Sequence, residues 1–254
     1  MQKLKISKIN GDLPKVLVVV HFAGLPCDMK AIAQLAQEYN FYVIEDAAQA
    51  VGATYKGKPV GGFGVFGSFS LHPLKNLAAA GDAGVITTDS EKHYNWLLKA
   101  RNHGLKSRDE LEFFSINSRL DALQAAILNI KVRRLDEWNE RRREIADRYI
   151  NELSSVVRVP AYSADYSPVF HAFVIQTDKR DELASYLAEH EIDSKVHYPI
   201  AIHQQEGASR SIMHDLTNTE YIVKTILSIP VYPELTDSQV DFIIKTIKTF
   251  FNDK

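Results

Sequence analysis

The apolar positions of this chain alternate between short continuous runs and stripes spaced at the helical period. That is the pattern of buried strands interleaved with amphipathic helices. Val16 to Val20 is an unbroken β-branched run typical of a buried parallel strand. Pro26-Cys-Asp28 then opens a helix with Asp28 as N-cap, and Met29, Ile32, Leu35, Ala36 and Tyr39 fall on one face of it. Asn40, a residue that tolerates the left-handed conformation, closes this helix, and Phe41 to Glu45 reads as the next strand. Asp46 therefore sits at a strand's carboxyl end, the edge of an open α/β sheet where ligands collect.

Gly67 to Leu71 reads as a third strand and Ala83 to Thr88 as a fourth, which leads through Asp89 or Ser90 as cap into a helix over 90–103 stopped by Gly104. Leu120, Leu123, Ile127 and Ile130 begin a long helical pattern that continues through Trp138, Ile145 and Tyr149. Its change of phase between Ile130 and Trp138 predicts a bend or break. Beyond about Ser155 the pattern gives a strand over 169–176, a helix over 179–190, and a final helix from Asp237. The last carries a capping box, Thr236 with Gln239, and a buried stripe of Val240, Ile243, Ile244, Ile247 and Phe251. The organisation predicted is an α/β large domain over 1–155, including the long connecting helix, and a smaller α+β domain over 156–254.

Composition narrows the function classes. The 254 residues carry 30 Lys and Arg against 32 Asp and Glu, a net charge of −2, with the two signs interspersed. No nucleic-acid surface or polybasic membrane patch is implied. A single cysteine, Cys27, excludes an intrachain disulfide framework and a multi-thiolate metal site, and suits a reducing cytosol. No apolar run approaches the ~20 residues of a membrane span. Met1-Gln2-Lys3-Leu4-Lys5 lacks the apolar core of a signal peptide, so a cytoplasmic location is expected.

Several motifs invite chemistry. Gly62-Phe-Gly64-Val-Phe-Gly67 has the G-x-G-x-x-G spacing of dinucleotide binding, but a polar turn precedes it and a β-run follows, the reverse of the required strand and helix; turn chemistry is the better reading. Nine histidines show no close ligand pair, with only His197 and His203 near each other, so no metal is expected. Arg133, Arg134 and Arg141 to Arg143, interleaved with acids on a helix, read as a solvated ion-pair face. Lys75 is different, because it occupies a short loop straight after a buried strand, among small or apolar neighbours. A partly desolvated lysine there suits Schiff-base chemistry, although an exposed loop lysine is the plain alternative. Read with Asp46, it matches what a pyridoxal phosphate enzyme needs: an amine for the aldehyde and a carboxylate to keep the pyridine nitrogen protonated. Asp46 alone could equally be a helix cap or structural ion pair.

Seven ordered motifs then carry a resemblance. Glu45-Asp-Ala-Ala-Gln49-Ala, Phe69-Ser70-Leu-His-Pro-Leu-Lys75-Asn76-Leu, Gly81-Asp82-Ala-Gly84, Arg101-Asn-His-Gly104, Asn117-Ser-Arg119-Leu-Asp121 with Gln124-Ala-Ala, His197-Tyr-Pro199 and Leu227-Ser-Ile-Pro-Val-Tyr-Pro233 are similar to those of the DegT/DnrJ/StrS sugar aminotransferases. The resemblance implies a fold-type I pyridoxal phosphate transferase, aspartate aminotransferase-like, with a mostly parallel three-layer large domain and a smaller C-terminal domain. It implies conversion of a keto-sugar, usually nucleotide-linked, to an amino-sugar, with glutamate as donor, in polysaccharide, glycan or antibiotic sugar biosynthesis. By the same pattern Lys75 bonds the cofactor and shuttles the proton, Asp46 pairs with the pyridinium nitrogen, Gln49 lies near the phenolic oxygen, and Ser70 donates to the phosphate. Asn117 is expected to reach the phosphate in the neighbouring subunit, which implies a homodimer. His197, Tyr198 and His203 resemble a substrate-side loop, with a packed aromatic turn as the alternative.

The resemblance also implies a portion on the order of a hundred residues, domain-scale, ahead of the point where this chain starts, supplying a phosphate cup and a ring-stacking aromatic. The expectation is a large domain incomplete at its N-terminus, with apolar sheet surface left to be covered by something else. A noncatalytic dimerising or regulatory module is the reading from another class. A related deoxysugar dehydratase is disfavoured because that branch replaces the lysine with histidine. Leu74, Ala83 and Ala201 depart from the family pattern and bear on substrate subtype, not on reaction type.

Overall fold

The structure, a computed structural model, describes residues 15–208 and 216–252. The N-terminal stretch read above for a leader lies outside the described residues. The chain divides into two compact units, residues 1–136 with 164–169 and residues 137–163 with 170–254.

The first unit is built on a four-stranded sheet. Strands β1 (Val16–Val20), β2 (Tyr42–Asp46) and β5 (Phe66–Ser70) run parallel in that order, and β6 (Gly84–Thr87) adds antiparallel to β5. Between β2 and β5 lie two short strands, β3 (Thr54–Tyr55) and β4 (Lys58–Pro59), and β3 also pairs with β7 (Tyr166–Ser167). Helix α1 (Met29–Tyr39) starts where Asp28 Oδ1 accepts from Ala31 N at 3.1 Å and stops at Asn40 with φ 55°, both as the sequence predicts. Its Met29, Ile32 and Ala36 pack on Val19 and Val43 of the sheet. On the opposite face Val16, Val18, Val20 and Tyr42 are exposed.

Helix α2 (Glu91–Ala100) takes Ser90 as its cap, the Oγ accepting from His93 N. It ends three residues short of the predicted 103, because Gly104, at φ 82°, bends the chain back and donates its N–H to Lys99 O at 2.8 Å. Helix α3 (Ala122–Lys131) is separated from α4 (Leu135–Leu153) by a tight turn over Val132–Arg134, the interruption that the phase change predicts.

In the second unit β8 (Phe173–Gln176) pairs antiparallel with β9 (Ile226–Ile229), and α5 (Arg180–Glu189), α6 (Thr217–Thr225) and α7 (Asp237–Asn252) complete the α+β arrangement. Tyr149, Phe173, Ile175, Leu183, Leu187 and Ile247 are fully buried in its core. The strand predicted from 169 begins only at Phe173, since Phe170 adopts φ 41° and its carbonyl is taken by Arg142 Nη1 at 3.0 Å. Arg142 also donates to Val231 O at 2.6 Å, and burial pushes its guanidinium down to about 10. The basic run is thus not wholly a solvated face: Arg141 and Arg143 pair with Asp237 and Glu140, while Arg142 is built into the interior. The capping box at α7 forms as predicted, Thr236 N to Gln239 Oε1 at 2.9 Å and Gln239 N to Thr236 Oγ1 at 3.3 Å. The stripe ends on Phe250 instead of Phe251, which is only partly buried.

Candidate active site

The register of the parallel sheet brings together the strand ends that matter. Asp46, the last residue of β2, pairs with Val20, the last of β1, and with Ser68 of β5, which runs two residues further to Ser70. The chain leaves β2 through a tight turn in which Asp46 Oδ1 accepts from Ala48 N at 3.0 Å. That turn carries Gln49, whose Oε1 accepts from Ala23 N at 2.6 Å and whose amide N–H groups remain as donors. From β5 the chain leaves through Ser70, with Ser70 Oγ accepting weakly from His72 N at 3.4 Å, into a turn closed by Lys75 N to His72 O at 2.8 Å.

Electrostatics tie the two exits together. Burial pushes the Lys75 amine below the ordinary lysine range, and the Asp46 carboxylate, acting in the opposite sense, moderates the fall. The Asp46 charge thus reaches the Lys75 amine, but neither Asp46 nor Gln49 is among the residues lining the cavity that Lys75 enters. Lys75, Ser70 and Asn117 line one cavity of about 1630 Å³, with His72, Asp82 and Arg101 on its walls. Asn117 Oδ1 accepts from Arg119 Nε at 2.8 Å.

The other three predicted residues belong to the second unit. His197 Nδ1 meets Ser228 Oγ at 2.9 Å, and Tyr198, largely exposed, sits edge-on to the His197 ring. His203, almost buried, turns its Nε2 onto Glu220 Oε1 at 2.9 Å. His197 and His203 thus have different partners.

The family resemblance carried by the seven motifs agrees with the comparisons. A profile of the DegT/DnrJ/EryC1/StrS aminotransferase family matches residues 4–248. The chain belongs to this family. Among similar proteins, the dTDP-3-amino-3,6-dideoxy-alpha-D-galactopyranose transaminase of Aneurinibacillus thermoaerophilus is 39% identical over 248 residues, covering 97% of this chain and 68% of that one. A UDP-N-acetyl-3-dehydro-alpha-D-glucosamine 3-aminotransferase of Acidithiobacillus ferrooxidans is 38% identical over 235 residues, covering 92% and 64%. The crystal structure of a family aminotransferase from Brucella abortus superposes with a TM-score of 0.92 at 31% identity, covering 95% of this chain and 66% of that one. The chain spans about two thirds of the length of these relatives. Its fold is that of the family's sugar aminotransferases.

Two residues beside the site carry no role in the sequence reading. Glu45 and His21 are both fully buried and meet at 3.1 Å. A signal for Glu45 existed: it alternates with Val43 onto the buried face of β2, where a carboxylate must find donors.

Proposed function

We propose that this chain is a pyridoxal phosphate-dependent transaminase that converts a nucleotide-linked keto-sugar to an amino-sugar with glutamate as nitrogen donor. The observation that carries the reading is the sheet register that sets Asp46, at the end of β2, beside β5, whose exit turn carries the partly buried Lys75, in a chain of this family.

The residues fit the cofactor. Lys75 supplies a nitrogen that sheds its proton more readily than an exposed lysine, as an aldehyde-capturing amine must. Asp46 engages one oxygen with Ala48 N, and the other remains for a ring nitrogen. Gln49, its oxygen occupied by Ala23 N, would offer its amide N–H groups to a phenolic oxygen, and Ser70 would offer its hydroxyl proton to a phosphate. Pyridoxal phosphate, when bound, supplies an aldehyde and a ring that withdraws electrons from a substrate carbanion. Lys75 then holds the proton that must move between substrate carbon and cofactor carbon, and Asp46 keeps the ring nitrogen charged. Asn117 would support the phosphate in a homodimer, and a substrate-side role for His197, Tyr198 and His203, which lie in the second unit, rests on the family resemblance alone. The cofactor-binding part of this scheme is the first unit, which ends near Asp136 and regains residues 164–169; the helix over Leu135–Leu153, expected with it, packs instead in the core of the second unit through Ile145, Tyr149 and Leu153. A cytoplasmic setting suits the single cysteine, and among the described residues no helix is long and apolar enough to cross a membrane.

The test is direct. Purified protein mixed with pyridoxal phosphate develops a Schiff-base absorbance band that Lys75→Ala abolishes, and a screen of nucleotide-linked keto-sugars with glutamate then identifies the acceptor. An unchanged free-aldehyde spectrum in the intact protein overturns the reading in favour of a noncatalytic module.

A further inference from the structure

The glycine pattern that resembles a dinucleotide fingerprint does bind an anion, and the anion is part of the chain. Glu45 Oε2 accepts from Gly61 N at 2.7 Å, and Oε1 accepts from Phe63 N at 2.6 Å and Gly64 N at 2.7 Å. A fourth bond comes from His21 Nε2 at 3.1 Å. The hydrogen-bond pattern assigns the tautomer of His21: Nδ1 accepts from Cys27 N at 3.0 Å, so Nε2 carries the proton and donates it to Glu45. Burial by itself would push the Glu45 carboxyl up; the His21 bond and the three amides outweigh it and hold the group below the usual carboxylate range.

His21 makes a second bond with its backbone. Its N–H donates to Asp46 O at 3.0 Å, while its ring holds the adjacent Glu45. Two residues on, Ala23 N, in a left-handed turn at φ 56°, donates to Gln49 Oε1 at 2.6 Å. The turn leaving β1 is thus bonded to Glu45, Asp46 and Gln49 in succession, and the loop of residues 61–64 grips Glu45 from the other side. Replacing a buried polar network with apolar groups often costs little stability. What such a network supplies here is a fixed position for the tip of β2.

We propose that His21 and Glu45 are positioning residues for Asp46 and Gln49, a buried clasp that holds the tip of β2 so that both side chains keep one orientation toward a bound pyridine ring. The proposal rests on the pyridoxal phosphate reading for that ring, but its decisive measurement does not need the cofactor.

In the cofactor-free protein, the rate at which Lys75 is modified by trinitrobenzenesulfonate is followed against pH, with the site read by peptide mass spectrometry, alongside thermal melts. Glu45→Gln places an amide donor against amide donors and frees the tip. Asp46 then supports the Lys75 ammonium less well, and the midpoint of the profile moves to lower pH. His21→Ala does the same, whereas His21→Gln, which keeps a donor for Glu45, restores the profile toward wild type. Pyridoxal phosphate binding weakens about tenfold in Glu45→Gln, the loss of roughly one charge-assisted bond. A lowered melting temperature with the wild-type Lys75 profile in both Glu45→Gln and His21→Ala overturns the proposal and leaves a merely structural pair. If Glu45→Gln does not fold, the two His21 variants decide. Failure of the wild-type protein to bind pyridoxal phosphate sinks the functional reading, while the Lys75 profile still decides the clasp.

Discussion

Asp46→Asn isolates the charge at the proposed cofactor site. The asparagine carbonyl oxygen can accept from Ala48 N as Asp46 Oδ1 does at 3.0 Å, so the turn out of β2 keeps its closing bond. The second oxygen becomes an NH₂ group, which donates where a protonated ring nitrogen needs an acceptor. The loss is one charge-assisted hydrogen bond, worth about 1.5–3 kcal/mol, or roughly a 10- to 150-fold weaker affinity for pyridoxal phosphate. The same change removes the carboxylate that raises the Lys75 amine against the effect of burial. The amine therefore falls further, its neutral form appears at lower pH, and the pH midpoint of Schiff-base formation moves down. Spectrophotometric titration with the cofactor across a pH series reads both effects, and a thermal melt checks that the fold is intact. An affinity within about twofold of wild type together with an unmoved midpoint would refute the reasoning.

Two further predictions concern the scaffold. Thr236→Ala removes the cap that Gln239 N uses and costs about 1 kcal/mol, read as a lower urea midpoint at unchanged slope; a midpoint equal to wild type would show the cap to be idle. Cys27, pushed up to about 11 by burial and by the nearby Glu45, reacts with thiol reagents about 100-fold more slowly in the native protein than in urea, and equal rates would refute the assignment. Its folded pKa lies above the unfolded one, so the stability tied to the protonated thiol is intact below about 9 and is lost as the pH rises toward about 11.

What the sequence made legible was local. Asp28, Asn40, Ser90 and the Thr236–Gln239 box each act within three or four residues, and each forms as read. The break before Leu135 was visible as a phase change for the same reason. Features set by distant partners were not. Ile226 to Ile229 is buried at every position and has no period to distinguish a strand, and α6 before it lacks a side-chain cap. Arg142 looks like its charged neighbours until the carbonyls of Phe170 and Val231 arrive from 28 and 89 residues away. The site divides the same way: Lys75 and Asp46 could be named because strand ends are readable, whereas the partners of Glu45 lie 16 to 24 residues off in loops of no obvious purpose.

The glycines of residues 61–67 have a consequence for how such segments are interpreted. A Cβ added at Gly67 would come within 2.5 Å of Gly61 O and of Thr87 Oγ1, so the spacing records how closely one stretch of main chain lies against another. Pattern searches that take it for a nucleotide pocket will mistake an internal carboxylate for a missing guest. Anyone grafting phosphate affinity onto this loop would first have to evict Glu45, and would dismantle the neighbouring strand tip in doing so.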